Sequence, residues 1–313
     1  MPYNSLISST DADALIPTEV SSEIIKALPA ESAVMKLARR LPNMASSQKS
    51  LPVVSALPTA YFVNGETGLK QTSEVNWTDK TIYAEELAVI VPVPESVIDD
   101  SDYPIWDEVQ PLILEAFGKA FDAAVLIGTN APSNWPDDLL TGAGSASHTV
   151  TYGTGADLYE DMMDDGGVLS LVEADGFMVN GHVAVPGLRG LLRGLRSADG
   201  VPLFNTSMQE SSRYILDGDP IEFIRNASFT SSSAYVFSGD WSQLVYAIRQ
   251  DMTFKIATEG VIQDASGNIV YNLFQQDMVG LRAVMRLGWQ LPNPITRDQE
   301  TEASRYPFAV LVP

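Results

Sequence analysis

Apolar side chains recur at three- and four-residue spacing along residues 104–127, the clearest periodic pattern in the chain. These positions are Ile105, Val109, Leu112, Ile113, Ala116, Phe117, Ala120, Phe121, Ala124 and Val125. The spacing predicts an amphipathic α-helix of roughly 35 Å, at about 1.5 Å per residue. Ser101 or Asp102 is placed to cap its start and Gly128 to end it. Pro111, inside the pattern, predicts a kink or a later start.

Alternating apolar residues before this helix predict a long two-stranded ribbon. The outgoing part runs from Leu51 to Val63, a polar tip with glycines spans Asn64 to Glu74, and the return strand runs from about Ile82 to Val93. Two strands alone are marginally stable in water, so the ribbon needs a partner surface. The partner surface could belong to another subunit, or the ribbon could be a surface hairpin that packs on its own domain.

The remaining pattern predicts short helices mixed with strands, an α+β fold. Residues 130–155 are loop-like and mark a domain boundary. The predicted elements are a helix at 33–41, a helix beginning at 157–163, a strand at Phe177–Val179 with a turn at Asn180–Gly181 and a basic helix, a turn at Asp199–Gly200, a strand-turn at Tyr214–Ile221, a strand at Tyr235–Trp241, strands at Met252–Ile262 and Asn272–Leu291 joined by a turn at 264–268, and a strand at Phe308–Val312.

Composition excludes several classes of function. The 313 residues include no cysteine and two histidines, His148 and His182, so thiolate metal sites and His-rich sites are excluded. The net charge of −21 makes a dedicated DNA-binding protein a poor fit, because such binding relies on Lys and Arg. Neither a signal peptide nor a membrane-spanning segment is predicted, and so no membrane partner.

Sites for chemistry are few. No phosphate-binding loop or nucleophile elbow occurs. The acidic runs at 161–165 and 217–219 lack the ligand spacing of a calcium loop, so solvated turns are the better interpretation. His182 would need a nucleophile and an orienting partner, and Ser197 and Asp199 are near only in sequence. No cofactor and no metal are predicted.

Three segments carry a resemblance to a known family. They are GFMVNGHVAVPGLRGLLRGLRSADGVPLF at 176–204, YFVNGETGLKQTSEVNWTDKTIYAEELAVIVPVPESVIDDS at 61–101, and GDW at 239–241 followed by LVYAIRQDMTFKI at 244–256. In this order they resemble tailed-phage major capsid proteins of the Hong Kong 97 fold. IPTEVSSEIIKAL at 16–28 is similar to a common opening of these proteins.

The resemblance implies a division of the chain into parts. These are an N-terminal arm at 1–32, a first part of the peripheral domain at 33–50, an extended loop at 51–93, the peripheral domain with its spine helix at 94–144, a mixed α/β axial domain at 145–250, and strands returning to the peripheral domain at 251–313. The loop is expected to lie across an adjacent subunit.

The resemblance also implies a function. The chain would be a non-enzymatic major capsid protein, forming hexamers and pentamers of an icosahedral head around double-stranded DNA. It would assemble in the host cytoplasm, become part of the virion, and have a portal and scaffold or decoration proteins as partners. An encapsulin-like nanocompartment shell and a hydrolase using His182 stay open as alternatives.

Contact residues follow from the same resemblance. The expected inter-subunit contacts of the loop are Tyr61, Phe62, Lys70, Trp77 and Lys80. Some members of the family join a loop lysine to an asparagine with the help of a glutamate. Here Asp277 stands at the likely acceptor position and the glutamate position falls near Val284, so no covalent cross-link is expected.

Overall fold

The computed structural model of the chain describes residues 32–63, 68–100, 105–196 and 215–313. Its helices are α1 (Ala33–Leu37), α2 (Glu95–Asp99), α3 (Ile105–Ile127), α4 (Leu139–Ser145), α5 (Leu158–Met163), α6 (Val168–Ala174) and α7 (Leu188–Gly194). Its strands are β1 (Arg39–Arg40), β2 (Gln48–Ala56), β3 (Asn76–Tyr83), β4 (Glu85–Pro94), β5 (Thr149–Thr151), β6 (Gly181–Ala184), β7 (Ile215–Leu216), β8 (Asp219–Phe223), β9 (Val236–Gly239), β10 (Val245–Ala257), β11 (Val261–Gln263), β12 (Ile269–Asn272), β13 (Met278–Gln290) and β14 (Phe308–Val312).

A four-stranded sheet carries the long helix α3 on one face. Its strand order is β1-β10-β13-β4, with β1 parallel to β10 and the other neighbours antiparallel. Ile113 and Phe117 of α3 pack against Leu281 and Ala283 of β13. The two-residue period of a strand brings alternate residues of β4 to the same apolar cluster. The periodic pattern at 104–127 therefore marks the face of the helix that the sheet buries.

A six-stranded sheet forms the second layer, in the order β5-β14-β9-β6-β8-β7. Strands β5, β14, β6 and β8 run in the same direction, while β9 and β7 run opposite to them. The sheet is buried around Phe237, Trp241 and Phe308, and the rings of Trp241 and Phe308 meet edge to face with centroids 5.0 Å apart. Residues 308–312, grouped by sequence with the returning strands, thus pair in this sheet.

The ribbon is shorter than predicted. β2 pairs with β3 from Gln48–Tyr83 to Ala56–Asn76, and residues 59–63 form no strand. A single return strand from Ile82 to Val93 is wrong, because β3 belongs to the ribbon and β4 to the four-stranded sheet. The apolar alternation continues across Ala84, so the periodicity could not reveal the change of partner.

Three further segments differ from their predictions. Residues 130–155, predicted to be a loop, contain helix α4 and strand β5. The helix at 33–41 ends at Leu37, because Arg39 and Arg40 pair with Val245 and Tyr246. The strand predicted at 177–179 lies instead at Gly181–Ala184, and Met178 is 71% exposed.

Asn180 and Gly181 stand at the start of this strand, where Trp241 packs against Gly181. The indole of Trp241 donates to the Gly181 carbonyl at 2.9 Å. A Cβ on Gly181 would lie 3.1 Å from the indole ring, closer than most real contacts. The Asn180 amide accepts from the Trp241 backbone N–H at 2.9 Å. A dipeptide that is typical of turns is therefore fixed by a distant tryptophan.

Other predictions are confirmed. Helix α3 begins at Ile105 and ends before Gly128, whose φ of +67° is the left-handed conformation expected of a helix-ending glycine. Pro111 lies inside the helix, so the later start is wrong; the proposed caps Ser101 and Asp102 lie outside the described residues. Asp157 caps α5, and Asp264 organises the turn between β11 and β12.

The two long strands are present with shifted bounds. β10 begins at Val245, seven residues before the predicted start at Met252, because residues 244–248 are a buried run that continues the strand into the core. The segments at 1–31, at 64–67 and at 197–214 lie outside the described residues. The arm and the Asp199–Gly200 turn fall in these segments.

The carboxylate of Asp122 joins three parts of the fold. It lies on α3, is fully buried, and accepts hydrogen bonds from the Ser32 hydroxyl at 2.5 Å and the Asn226 amide at 3.0 Å. It also accepts from the backbone N–H groups of Ala33 and Val34 at the start of α1. Burial raises the pKa of Asp122, and these hydrogen bonds oppose the rise.

Asp122→Ala is expected to lower the free energy of unfolding by about 3 kcal/mol, because four donors lose their acceptor inside the protein. Urea unfolding of the unassembled chain measures this change. Asp107→Ala removes an exposed carboxylate from the same helix and is expected to cost at most about 1 kcal/mol. Equal shifts of the two unfolding midpoints would contradict the stabilising role of the Asp122 carboxylate.

Candidate functional site

Exposed apolar side chains gather on the connection between β2 and β3 and at the start of β3. Phe62 is fully exposed, Leu69 is 89% exposed and Trp77 is 66% exposed, and Tyr61 and Val63 are also accessible. Scattered exposed apolar residues are ordinary, but several on one protruding segment are typical of a contact surface. Three of the predicted contact residues are therefore exposed on this ribbon, Tyr61 and Phe62 on the connection and Trp77 near the start of β3.

The base of this loop is held by the segment before β14. Lys80 forms an ion pair with Glu302 at 2.7 Å, and its hydrogen bond lowers the pKa of Glu302. The Arg297 guanidinium donates to the Pro58 carbonyl at 2.6 Å, and the Gln290 amide donates to the Thr81 carbonyl at 2.9 Å. These contacts orient the loop while leaving its apolar side chains exposed.

The predicted cross-link residues lie in different settings. Lys70 is exposed on the loop, whereas the Lys80 amine is already paired with Glu302. Asp277 is exposed in the turn before β13, where its φ is +48° and its carbonyl accepts the Glu95 N–H. Val284 is buried in β13.

A groove of about 650 Å³ runs beside α3. Its apolar walls include Met35, Leu114, Phe117, Met252 and Met285. Leu112 and Leu114, on the open side of the helix, are about half exposed. Leu114 lies outside the periodic apolar positions of α3. Leu112 was predicted to belong to them, and that prediction is wrong because its side chain is 48% exposed.

A second exposed apolar surface escaped the sequence analysis. It lies on the hairpin of β11 and β12 and the turn that follows, and its members are Val261, Ile269, Val270, Tyr271 and Phe274. The predicted turn at 264–268 located the hairpin, but no periodic signal separates exposed from buried apolar residues on two short strands. Asp122 was also missed, although a carboxylate within the apolar run 120–127 was a visible signal.

Both histidines are buried and contact other residues of the protein interior. His182 is fully buried in β6, with Nδ1 2.8 Å from the Ser238 hydroxyl, and no described residue bonds its Nε2. Burial lowers its pKa to about 4. Because Ser238 is fully buried too, no substrate reaches this pair. His148 contacts Asp175 and the Phe308 carbonyl, each at 3.2 Å, and so helps to seat β14.

The acidic run near α5 is used within the chain. Both carboxylate oxygens of Asp161 accept backbone N–H groups, from Gly153 and Gly155 at 2.7 Å. Within the described ranges no three side chains are grouped to hold a metal ion. None of the described helices combines the length and apolarity needed to cross a membrane.

Known proteins are similar to this chain in sequence and in fold. The model of the phage capsid family matches residues 12–295. The major capsid protein of Staphylococcus phage 80alpha is 28% identical over 284 residues, covering 90% of this chain and 83% of that relative. A structure from Microbacterium phage Oxtober96 is similar with a TM-score of 0.84 and 37% identity, covering 99% of this chain and 100% of the other. One from Mycobacterium phage Bobi has a TM-score of 0.82 and 31% identity, covering 99% of both chains.

Because the family model spans most of its length, the chain belongs to the phage capsid family. Its function is that of a major capsid protein of a tailed phage, a structural protein of the virion. The prediction of a tailed-phage major capsid protein is thereby confirmed. The exposed loop, the groove beside α3 and the hairpin are consequently candidate contact surfaces between subunits.

The lowered pKa of His182 predicts an acid sensitivity of the subunit. The unfolded chain binds a proton at this residue near pH 6.5 and the folded chain only near about pH 4. The free energy of unfolding therefore falls as the pH falls from 6.5 towards 4, by about 3 kcal/mol from this group. Urea unfolding of the unassembled chain at several pH values measures the slope.

His182→Gln is expected to remove this part of the slope, because glutamine does not titrate. His148→Gln, which leaves His182 in place, serves as the control and is expected to retain it. An unchanged pH slope in His182→Gln would refute the assignment.

Proposed function

We propose that the chain adopts the Hong Kong 97 fold and assembles into hexamers and pentamers of an icosahedral head enclosing double-stranded DNA. In this proposal the six-stranded sheet is the axial domain, and the four-stranded sheet with α3 is the peripheral domain with its spine helix. The observation that carries the proposal is the extended loop, whose aromatic residues Tyr61 and Phe62 are exposed while its base is anchored at Lys80 and Arg297.

The loop of one subunit would lie over α3 of the next. The apolar groove beside α3 and the half-exposed Leu112 and Leu114 supply a surface of the same apolar character as Phe62 and Trp77. Burying such side chains contributes about 1.5–3 kcal/mol each. Tyr61 and Lys70 would lie at the edge of this contact, and Lys80 would hold the loop in its outward orientation.

Charge supports the enclosure of DNA without tight binding to it. A net charge of −21 opposes close contact with phosphates, as suits the inner wall of a container. It also opposes premature association of free subunits, so assembly must rely on shape and apolar burial. The same proposal includes assembly in the host cytoplasm, an arm at 1–32 that ties adjacent subunits, and a portal and scaffold or decoration proteins as partners.

Phe62→Ser is expected to leave the melting temperature of the unassembled chain unchanged, because the side chain touches little within its own subunit. It is expected to lower the yield of particles at least about tenfold, because an apolar anchor between subunits is lost. Negative-stain electron microscopy and size-exclusion chromatography of the expressed chain measure the yield.

Met178→Ser is the matched control, since Met178 is also an exposed apolar residue but lies outside the loop. It is expected to change neither the melting temperature nor the yield. Normal particles from Phe62→Ser would contradict the role of the loop, and a wild-type chain that forms no rings or particles under any condition would contradict shell assembly itself.

We also expect particles to dissociate into monomers on a denaturing gel. An ionised carboxylate at Asp277 is a poor acyl acceptor for an amine, and buried Val284 offers no general base beside it. A ladder of covalent oligomers would show that a cross-link forms after all. Lys70→Arg and Lys80→Arg, which keep the charge and remove the amine, would then identify the donor.

A further inference from the structure

A basic patch lies at one corner of the six-stranded sheet. Parallel strands β6 and β8 end side by side, with Ala184 opposite Phe223. Helix α7 follows the first strand and Arg225 follows the second, so Arg193, Arg196 and Arg225 come to the same end of the sheet. All three are exposed.

Among the described residues the basic patch makes a backbone contact, in which the Arg193 guanidinium donates to the Arg189 carbonyl at 3.2 Å. Glu222, the carboxylate of β8, is already paired with Lys36 at 2.7 Å. No ion pair within the described ranges involves Arg193 or Arg225. The chain has 19 basic and 40 acidic residues, so three exposed arginines at one corner of a sheet depart from its average charge.

An acidic patch lies at the opposite corner of the same end of the sheet. Strand β5, at the far edge, runs parallel to β6 and β8, and its carboxyl end leads into α5. Glu160, Asp164 and Asp165 are exposed there, beside the half-exposed ring of Tyr159. Strands β5 and β8 are four positions apart in the sheet, or roughly 19 Å at about 4.8 Å per step.

The two patches are complementary in charge and lie towards opposite edges of the six-stranded sheet, an arrangement that suits a ring of subunits. Neighbours in a cyclic ring meet through two different faces, the head of one copy against the tail of the next. Arginine is also enriched at interfaces, where it stacks on aromatic rings as well as pairing with carboxylates.

We propose that the basic patch of one subunit (Arg193, Arg196 and Arg225) docks on the acidic patch of the next subunit (Glu160, Asp164 and Asp165). The contact closes the ring of a capsomer from head to tail. The partner is thus a second copy of this chain. The proposal rests on the proposed function, since it presupposes hexamers and pentamers. Electrostatic complementarity would select the neighbour and its orientation, while apolar burial elsewhere supplies most of the stability.

The absence of cysteine permits a direct test. The full chain carrying both Arg193→Cys and Asp164→Cys is expressed, assembled and mildly oxidised. A disulfide within one subunit is excluded, because the two patches are far beyond the roughly 7 Å that a disulfide spans between Cα atoms. The expected result is a ladder on a non-reducing gel that ends at the pentamer and the hexamer and collapses on reduction.

Two controls make the result specific. Each single cysteine variant is expected to give no species beyond a dimer. Asp164→Cys combined with Arg249→Cys, an exposed arginine on β10 in the other sheet, is expected to give no ladder. Particles whose Arg193→Cys and Asp164→Cys pair cross-links no better than this control pair would overturn the proposal while leaving the capsid function intact.

Charge exchange gives a second test, which decides the matter if the cysteine pair prevents assembly. Arg193→Glu and Asp164→Arg are each expected to lower particle yield about tenfold, and the two together to restore it to within about twofold. Equal yields from the single and combined variants would overturn the proposal. A wild-type chain without rings or particles would overturn the proposed function, and this interface with it.

Discussion

The buried carboxylate of Asp122 is the contact on which the arrangement of the two sheets depends. It receives donors from the start of α1, through Ser32 and Ala33, and from Asn226 in the loop after β8. A charge in the interior is costly unless each oxygen is satisfied, so the three parts must meet in one geometry for the chain to fold. The long helix α3 thus serves as a frame for both layers, through its apolar face and through this one polar residue.

Two properties of the subunit bear on its assembly, its exposed apolar side chains and its negative charge. Apolar side chains are exposed on the loop between β2 and β3, in the groove beside α3 and on the β11–β12 hairpin. Covering them with a neighbouring subunit would lower the free energy of the assembled state. Acidic residues outnumber basic ones by 40 to 19 in the chain, and this excess of negative charge opposes the association of separate subunits. A shell subunit needs both properties, because its contacts must be weak individually and strong only when many form together.

His182 illustrates how burial decides whether a histidine can act in catalysis. His182 and Ser238 lie 2.8 Å apart, a distance that in an open cleft would suggest an activated nucleophile. Here both side chains are inaccessible within the six-stranded sheet, and burial lowers the pKa of the imidazole to about 4. The pair therefore stabilises the neutral form of a core residue, and its effect is on folding rather than on catalysis.

Local pattern determined the bounds of α3 with its end at Gly128, the helix at 157–163, the turn at 264–268 and the α+β class, because periodicity, capping and turn preference act within a few residues. The family and its function also followed from ordered segments of sequence. Tertiary structure alone decided that β3 and β4 separate at Ala84, that Trp241 draws Gly181 into a strand, and that β14 joins β5 and β9. Each of these depends on partners far away in the chain, and alternation of apolar residues is the same whichever partner a strand finally meets.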